Sequence, residues 1–309
     1  MIVVGVDENG LGPRLGPLLV TAVSARADER GMRVASSPAS GAGAARLGDS
    51  KKLVSYTNST LGEAWARALL PDAQSPDALI RSMSLDPYAT LTRACPPDHI
   101  DQCWHAPEEF AATGDAVDAV ASDLRDLARR GLHVVRAEVV VVCTRALNDA
   151  AAAGTSRFDV DLHCMERLVL AARAHAGEDV TALCGKVGGL VRYPPHFGPL
   201  SEYLHTTISE ERARSEYRIA GVGDVAFLRD ADESSALVGL ASLIGKWARD
   251  LLMARVVRYH QARDPSLPNV SGYHDPVTAR FVSASALARR ARGLPDTCFE
   301  REKARPRGQ

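Results

Sequence analysis

The chain of 309 residues lacks several features that would decide its class at once. No apolar run reaches the roughly 18 residues that a membrane-spanning helix needs. The opening MIVVGVDENG has neither a basic leader segment nor a small-residue cleavage site, which excludes a signal peptide of the usual kind. Its six cysteines (Cys95, Cys103, Cys143, Cys164, Cys184 and Cys298) include no CxxC pair. Without an export signal they read as reduced thiols, and the expected location is the cytoplasm. Neither sign of charge dominates: 37 Lys and Arg stand against 38 Asp and Glu, a net charge of -1. No global field therefore demands a nucleic acid or a membrane, and any such site must be local. There is no internal repeat, and no low-complexity tract beyond an Ala-rich stretch at 27–47.

What remains is enough for a sizeable core: 46% of residues are hydrophobic and 24% are charged, ordinary globular values. Ile2 to Val6 and Leu18 to Ala25 read as buried strands. Between them lie Gly10, Gly12, Pro13, Gly16 and Pro17, which leave no room for a helix, so the two strands should pair antiparallel. Val134 to Val142 and Val180 to Cys184 are further strands, and Tyr217 to Ile219 with Val225 to Leu228 reads as a hairpin. Helices are predicted at about Thr60–Leu70, Asp115–Arg130, Arg157–Ala176, Glu233–Gln261 and Pro276–Arg292. Residues 27–47 suggest a mobile surface loop, and 71–113 are Pro-studded and irregular. An opening hairpin followed by strand–helix alternation predicts an α/β layered domain with a mixed sheet.

Four segments carry chemistry. Asp7 and Glu8 leave a buried strand and run into glycines. Buried paired carboxylates are costly unless cations neutralise them, and hard oxygen ligands suit Mg²⁺ or Mn²⁺. On position alone, a turn with two solvated acids is an equal alternative. A dinucleotide-binding loop fits poorly: the spacing is GxGxxxG, and no helix precedes the second strand. Next comes Gly48-Asp49-Ser50-Lys51-Lys52-Leu53, whose lysines and hydroxyl can hold phosphates, although such a pair is usually solvated surface. The third is the helix Ala241 to Met253, which places Ser242, Lys246 and Asp250 on one face, otherwise readable as a surface salt bridge. The fourth is Ser271-Gly272-Tyr273, a loop tyrosine suited to stacking on a sugar or base, or to packing on the core.

Taken in order, these segments resemble type 2 ribonuclease H. Asp7 to Pro17 stands where that family has DEAGRGPLAGP. Asp49 to Leu53 is its DSKKL, Leu240 to Met253 resembles its AASILAKVTRDRLM helix, and Gly272 to Asp275 its GYGT-like loop. The resemblance spans Ile2 to about Phe281. It implies a ribonuclease H-like mixed β-sheet flanked by helices over residues 1–262, with an added irregular or helical segment at about 71–131. A C-terminal loop, helix and basic tail would follow over 263–309. It further implies a metal-dependent endoribonuclease acting on RNA–DNA hybrids or on ribonucleotides in duplex DNA. By resemblance Asp7, Glu8 and Asp250 are catalytic and ligate Mg²⁺ or Mn²⁺, in two-metal hydrolysis where one ion activates water and the other stabilises the leaving oxygen. Gly10, Leu11, Gly12, Ser50, Lys51, Lys52, Lys186, Lys246 and Tyr273 would contact nucleic acid. The expected protein is a monomer with no membrane partner.

Two departures from the family pattern stand out. Its GRG loop reads Gly10-Leu11-Gly12 here, without the basic side chain. Its mid-chain acid should end the strand Val180–Cys184, but Gly185 and Lys186 follow instead. Asp179 lies at the other end, roughly 15 Å away at ~3.3 Å per residue. Lys186 is expected to point into the site, holding a phosphate or standing where a metal would be. The alternative function is a catalytically weak or inactive relative that binds nucleic acid. Cys95, His99, Cys103 and His105 have the residue types for zinc, but C-x3-H-x3-C-x-H matches no known finger, and buried thiols on a helical turn are the preferred reading. His163 and Cys164 read as packing residues. The arginines of the tail, Arg301 among them, are candidates for phosphate contact.

Overall fold

Ile2–Asn9 forms β1, fully buried until the chain reaches its acids. A computed structural model describes residues 1–93, 95, 100–104 and 108–302. The other strands are Leu18–Ala27 (β2), Leu132–Val142 (β3), Val180–Gly185 (β4), His205–Glu210 (β5), Arg214–Ile219 (β6) and Gly223–Leu228 (β7). They make one seven-stranded sheet in the order β3-β2-β1-β4-β7-β6-β5. β1–β2 and β2–β3 are antiparallel, as are β5–β6 and β6–β7. β4 is parallel to both β1 and β7. The sheet is therefore mixed, and the carboxyl ends of β1, β4 and β7 meet at one edge.

The helices are Glu29–Ala35 (α1), Ser50–Leu53 (α2), Thr60–Leu69 (α3), Pro76–Met83 (α4), Tyr88–Thr92 (α5), Ile100–Cys103 (α6) and Gly114–Arg129 (α7). They continue with Thr144–Ala152 (α8), Arg157–Ala176 (α9), Ala231–Ser234 (α10), Ala236–Gln261 (α11), Pro276–Ala284 (α12), Ala286–Ala291 (α13) and Asp296–Phe299 (α14). Helices cover both faces of the sheet. α11 packs on one face together with α3 and α7, and α9 packs on the other. Alternation along β1 sends Val3 into the α11 layer and Val4 and Val6 into the α9 layer. The approach of α11 is close. A Cβ at Gly245 would stand 2.1 Å from Asn9 Oδ1 and 2.5 Å from Thr21 Oγ1, so only glycine fits there. No helix among the described residues is long and apolar enough to cross a membrane.

Several elements differ from expectation for local reasons. Within 27–47, Asp28 accepts the Gly31 N–H at 2.8 Å and caps α1, so this stretch carries a helix. The long helix begins at Ala236 rather than Glu233, because Ser235 is extended and its hydroxyl caps Val238 N–H. The last predicted helix divides at Ser285, whose hydroxyl bonds back to Phe281 O at 2.7 Å. β5 went unseen because its mostly exposed residues show no apolar alternation.

The C-terminal segment packs tightly on what precedes it. Leu267, Val270, Phe281, Leu294 and Phe299 form a cluster with Leu15 and with Met253, Val256 and Val257 of α11. His99 and His105 lie outside the described residues. Cys95 and Cys103 line an apolar cavity of about 40 Å³ with Cys143 and Cys298. Burial pushes the Cys103 thiol up to about 12, as expected of a packing residue rather than a reactive one.

Candidate functional site

The sheet edge where β1, β4 and β7 end opens into a cleft of about 640 Å³. Asp7, Glu8 and Gly10 line it from β1 and the loop beyond, and Gly185 and Lys186 from the end of β4. Asp230 and Asp232 follow β7, and Ser242, Lys246, Arg249 and Asp250 come from α11. Lys51, Arg212 and Tyr273 complete the rim. Segments more than 200 residues apart in the chain thus share one cavity outside strand carboxyl ends, the usual place for a ligand in such sheets.

Asp7 continues the odd-numbered side of β1 and faces α11, where the Ser242 hydroxyl hydrogen-bonds to it. Ser242 in turn joins Ser50 Oγ at 2.9 Å. Burial holds the Asp7 carboxyl well above the usual carboxylate range, and neighbouring Glu8 and Asp232 push it the same way. Glu8 takes the even-numbered side. Burial raises its pKa too, against the Leu11 N–H it accepts at 3.0 Å and the nearby charges of Arg301 and Lys51. Asp250 is buried between two cations, Arg249 Nη1 at 3.0 Å and Lys246 Nζ at 3.5 Å. Its pKa is also raised, burial outweighing both cations. Asp232 behaves likewise, with Lys51 opposing the effect of burial.

The glycine loop is held in shape by the C-terminus. Gly10 and Gly16 have φ of 97° and 83°, a region that favours glycine. Arg301 is buried beneath them and donates from Nη1 to Gly10 O at 2.6 Å and from Nε to Gly16 O at 2.8 Å. The backbone N–H groups of Arg14 and Leu15 both donate to Gly272 O, which fixes Tyr273 beside the loop. The Tyr273 ring is half-exposed, with the Arg249 guanidinium 5.1 Å from its centre.

Some residues take a different place from the one their sequence suggested. Lys186 does not turn towards the acids. Its ammonium donates to Leu190 O, Glu211 O and Ser215 Oγ at 2.9–3.0 Å, which uses its three protons in holding the loop after β4. Ser50 is buried and anchors the lysine segment to α11 instead of offering its hydroxyl to a phosphate. Lys52 points away from the cleft and pairs with Asp49 and Glu233, each at 3.2 Å. The Leu11 N–H is spent on Glu8, and Gly12 is exposed beside the cleft. Asp179 pairs with Arg218 at 2.6 Å, at the far edge of the sheet.

Asp232, Arg212, Arg249 and Arg301 were not singled out as site residues by motif. The only signals were an acid just after a strand for Asp232 and a basic tail for Arg301. No three His, Cys, Asp or Glu side chains among the described residues stand close enough together to form a ready-made metal cluster. The donor set is nonetheless hard oxygen throughout, and its buried acids are held in a costly state that a cation would relieve.

No family model and no curated protein matches the chain. Solved structures do. The chain is similar to RNase HII of Archaeoglobus fulgidus, solved in a complex with PCNA, at 18% identity and a TM-score of 0.47, over 100% of this chain and 98% of that one. It is similar to ribonuclease H2 of Pyrococcus horikoshii at 16% identity and a TM-score of 0.43, over 97% and 92%. It is also similar to Bst-RNase HIII in complex with Mn2+ at 14% identity and a TM-score of 0.46, over 97% and 66%.

Proposed function

We propose that the protein is a metal-dependent endoribonuclease that hydrolyses RNA in RNA–DNA hybrids or at ribonucleotides within duplex DNA. One observation carries this reading. The four separate segments Asp7–Pro17, Asp49–Leu53, Leu240–Met253 and Gly272–Asp275 reach a single cleft, with acids at its floor and cations at its rim. Asp7, Glu8 and Asp250 would hold Mg²⁺ or Mn²⁺, which two carboxylates with water and phosphate oxygens can bind. When bound, such a cation supplies Lewis acidity to the phosphodiester and a template for in-line displacement. Lys51, Lys246 and Arg212 balance the backbone charge of a strand lying in the cleft. Tyr273, propped by Arg249, offers a ring face to a sugar or base. Ser242 holds the Asp7 carboxylate in orientation, and Arg249 does the same for Asp250.

A second reading, a nucleic-acid-binding protein with little or no cleavage, draws on a specific feature. β4 ends without an acid at Gly185, and Asp250 already has two cationic partners. Labelled duplexes carrying one ribonucleotide, and a full RNA–DNA hybrid, incubated with Mg²⁺, Mn²⁺ or EDTA, separate the two. Metal-dependent cutting that disappears in Asp7→Asn is expected. Tight retention of the same duplexes in a gel shift with no cutting would replace the nuclease reading by the binding one.

A further inference from the structure

Asp161 is a buried acid without partners among the described residues. It has no accessible surface, and neither of its carboxylate oxygens has a hydrogen-bond partner among the described residues. A carboxylate in that state is costly. Protonation does not resolve it, since a carboxylic acid there would still have a donor and an acceptor without partners. What lies nearby is more acid: Glu8 and Asp7 are the charges that act on it.

The fold explains why these groups meet. Asp161 lies on α9 in the buried stripe with Met165, Leu168 and Ala172, which packs under β1 and β4. α9 leads into β4, and Val180 of β4 is level with Ile2 of β1. Running back from Ala176 to Asp161 at about 1.5 Å per residue covers roughly 22 Å. Running along β1 from Ile2 to Glu8 at about 3.3 Å per residue covers roughly 20 Å. Asp161 is therefore level with Glu8. The alternation of β1 turns Glu8 towards α9, the same face. No hydrogen bond joins the two carboxyls: Glu8 accepts the Leu11 N–H and has the charges of Arg301 and Lys51 near it, whereas both Asp161 oxygens are without a partner among the described residues.

We propose that Asp161 is a cation-binding residue that, with Glu8, forms an oxygen-ligand pair for Mg²⁺ or Mn²⁺ beneath the end of β1, on the opposite face of the sheet from Gly185. This rests on reading the cleft as a divalent-cation site, and the test separates the two.

The test is MnCl2 binding by the full chain, followed by titration calorimetry and by the metal-dependent rise in melting temperature. Wild type, Asp161→Asn and Asp7→Asn are compared. Asp161→Asn should bind Mn²⁺ at least tenfold more weakly and lose most of the thermal rise. In EDTA it should melt no lower than wild type, because an amide replaces an unpaired buried acid. Mn²⁺ affinity unchanged in Asp161→Asn but lost in Asp7→Asn overturns the role of Asp161 and leaves the cleft reading standing. Binding lost in Asp161→Asn but kept in Asp7→Asn supports Asp161 and removes Asp7, but not Glu8, from the cation site. No Mn²⁺ binding by wild type overturns both. Should Asp161→Asn fail to fold, anomalous diffraction from wild-type crystals soaked in MnCl2 decides: a peak within about 2.5 Å of an Asp161 oxygen supports the proposal, and a peak held by other acids with Asp161 unligated overturns it.

Discussion

Asp7 and Gly185 stand side by side at the ends of adjacent parallel strands: a Cβ on Gly185 would lie 2.9 Å from Asp7 Oδ1. The absence of a side chain at 185 is therefore what lets the Asp7 carboxylate lie against the end of β4. It also means that an acid cannot be restored there without a partner for its charge.

Gly185→Asp should accordingly destabilise the metal-free protein by about 1–3 kcal/mol, from crowding and from a second buried negative charge beside Asp7. Gly185→Ala should carry only the crowding part. Melting curves in EDTA and in MnCl2 check this. The deficit of Gly185→Asp should shrink in MnCl2, while that of Gly185→Ala should not change.

The two adjacent lysines should behave differently. Lys51 lines the cleft, whereas Lys52 is tied to Asp49 and Glu233 outside it. Lys51→Gln should weaken duplex binding and lower the slope of log affinity against log salt by about 1. Lys52→Gln should leave both close to wild type. Equal losses in the two variants would show that the cleft does not set the path of the backbone.

Arg301 replaces contacts that a short loop cannot make for itself. Arg301→Met should cost about 2–4 kcal/mol, since it leaves buried carbonyls of Gly10 and Gly16 without their charged donor. Denaturant unfolding measures the loss. Hydrogen exchange should show faster opening confined first to residues 10–17.

Two buried groups tilt stability with pH in opposite directions. Burial pushes Glu166 up to about 7 even though Leu200 and Gly198 donate N–H groups to it. Between about 4.5 and 7 the folded state therefore holds the extra proton, and stability falls as pH rises through that window. His260 is held down to about 4, by burial first and then by Arg289, Arg292 and Arg263. The unfolded state takes up that proton first, so stability is lost as pH falls from 6.5 towards 4. Glu166→Gln should flatten the loss above pH 5, and His260→Gln should flatten the loss below pH 6. Unfolding free energies measured at one-unit pH intervals test both slopes.

Much of the site was legible from local pattern. A β-branched run ending in Asp7-Glu8 and then glycines can only be a buried strand that delivers acids to a turn. Ser242, Lys246 and Asp250 share a helix face by spacing alone. The antiparallel pairing of β1 and β2 follows from the lack of room between them. Such features depend on residues a few positions apart, and backbone geometry determines where their side chains go. What the tertiary structure decided are contacts between segments with no common period. Arg301 sits under a loop almost 290 residues earlier, and Lys186 turns to the carbonyls of Leu190 and Glu211 rather than to the acids it follows. Asp161 reads in sequence as one polar residue on an amphipathic helix. It comes level with Glu8 only because a parallel crossover sets the start of α9 beside the end of β1, a matching of lengths that no local pattern contains.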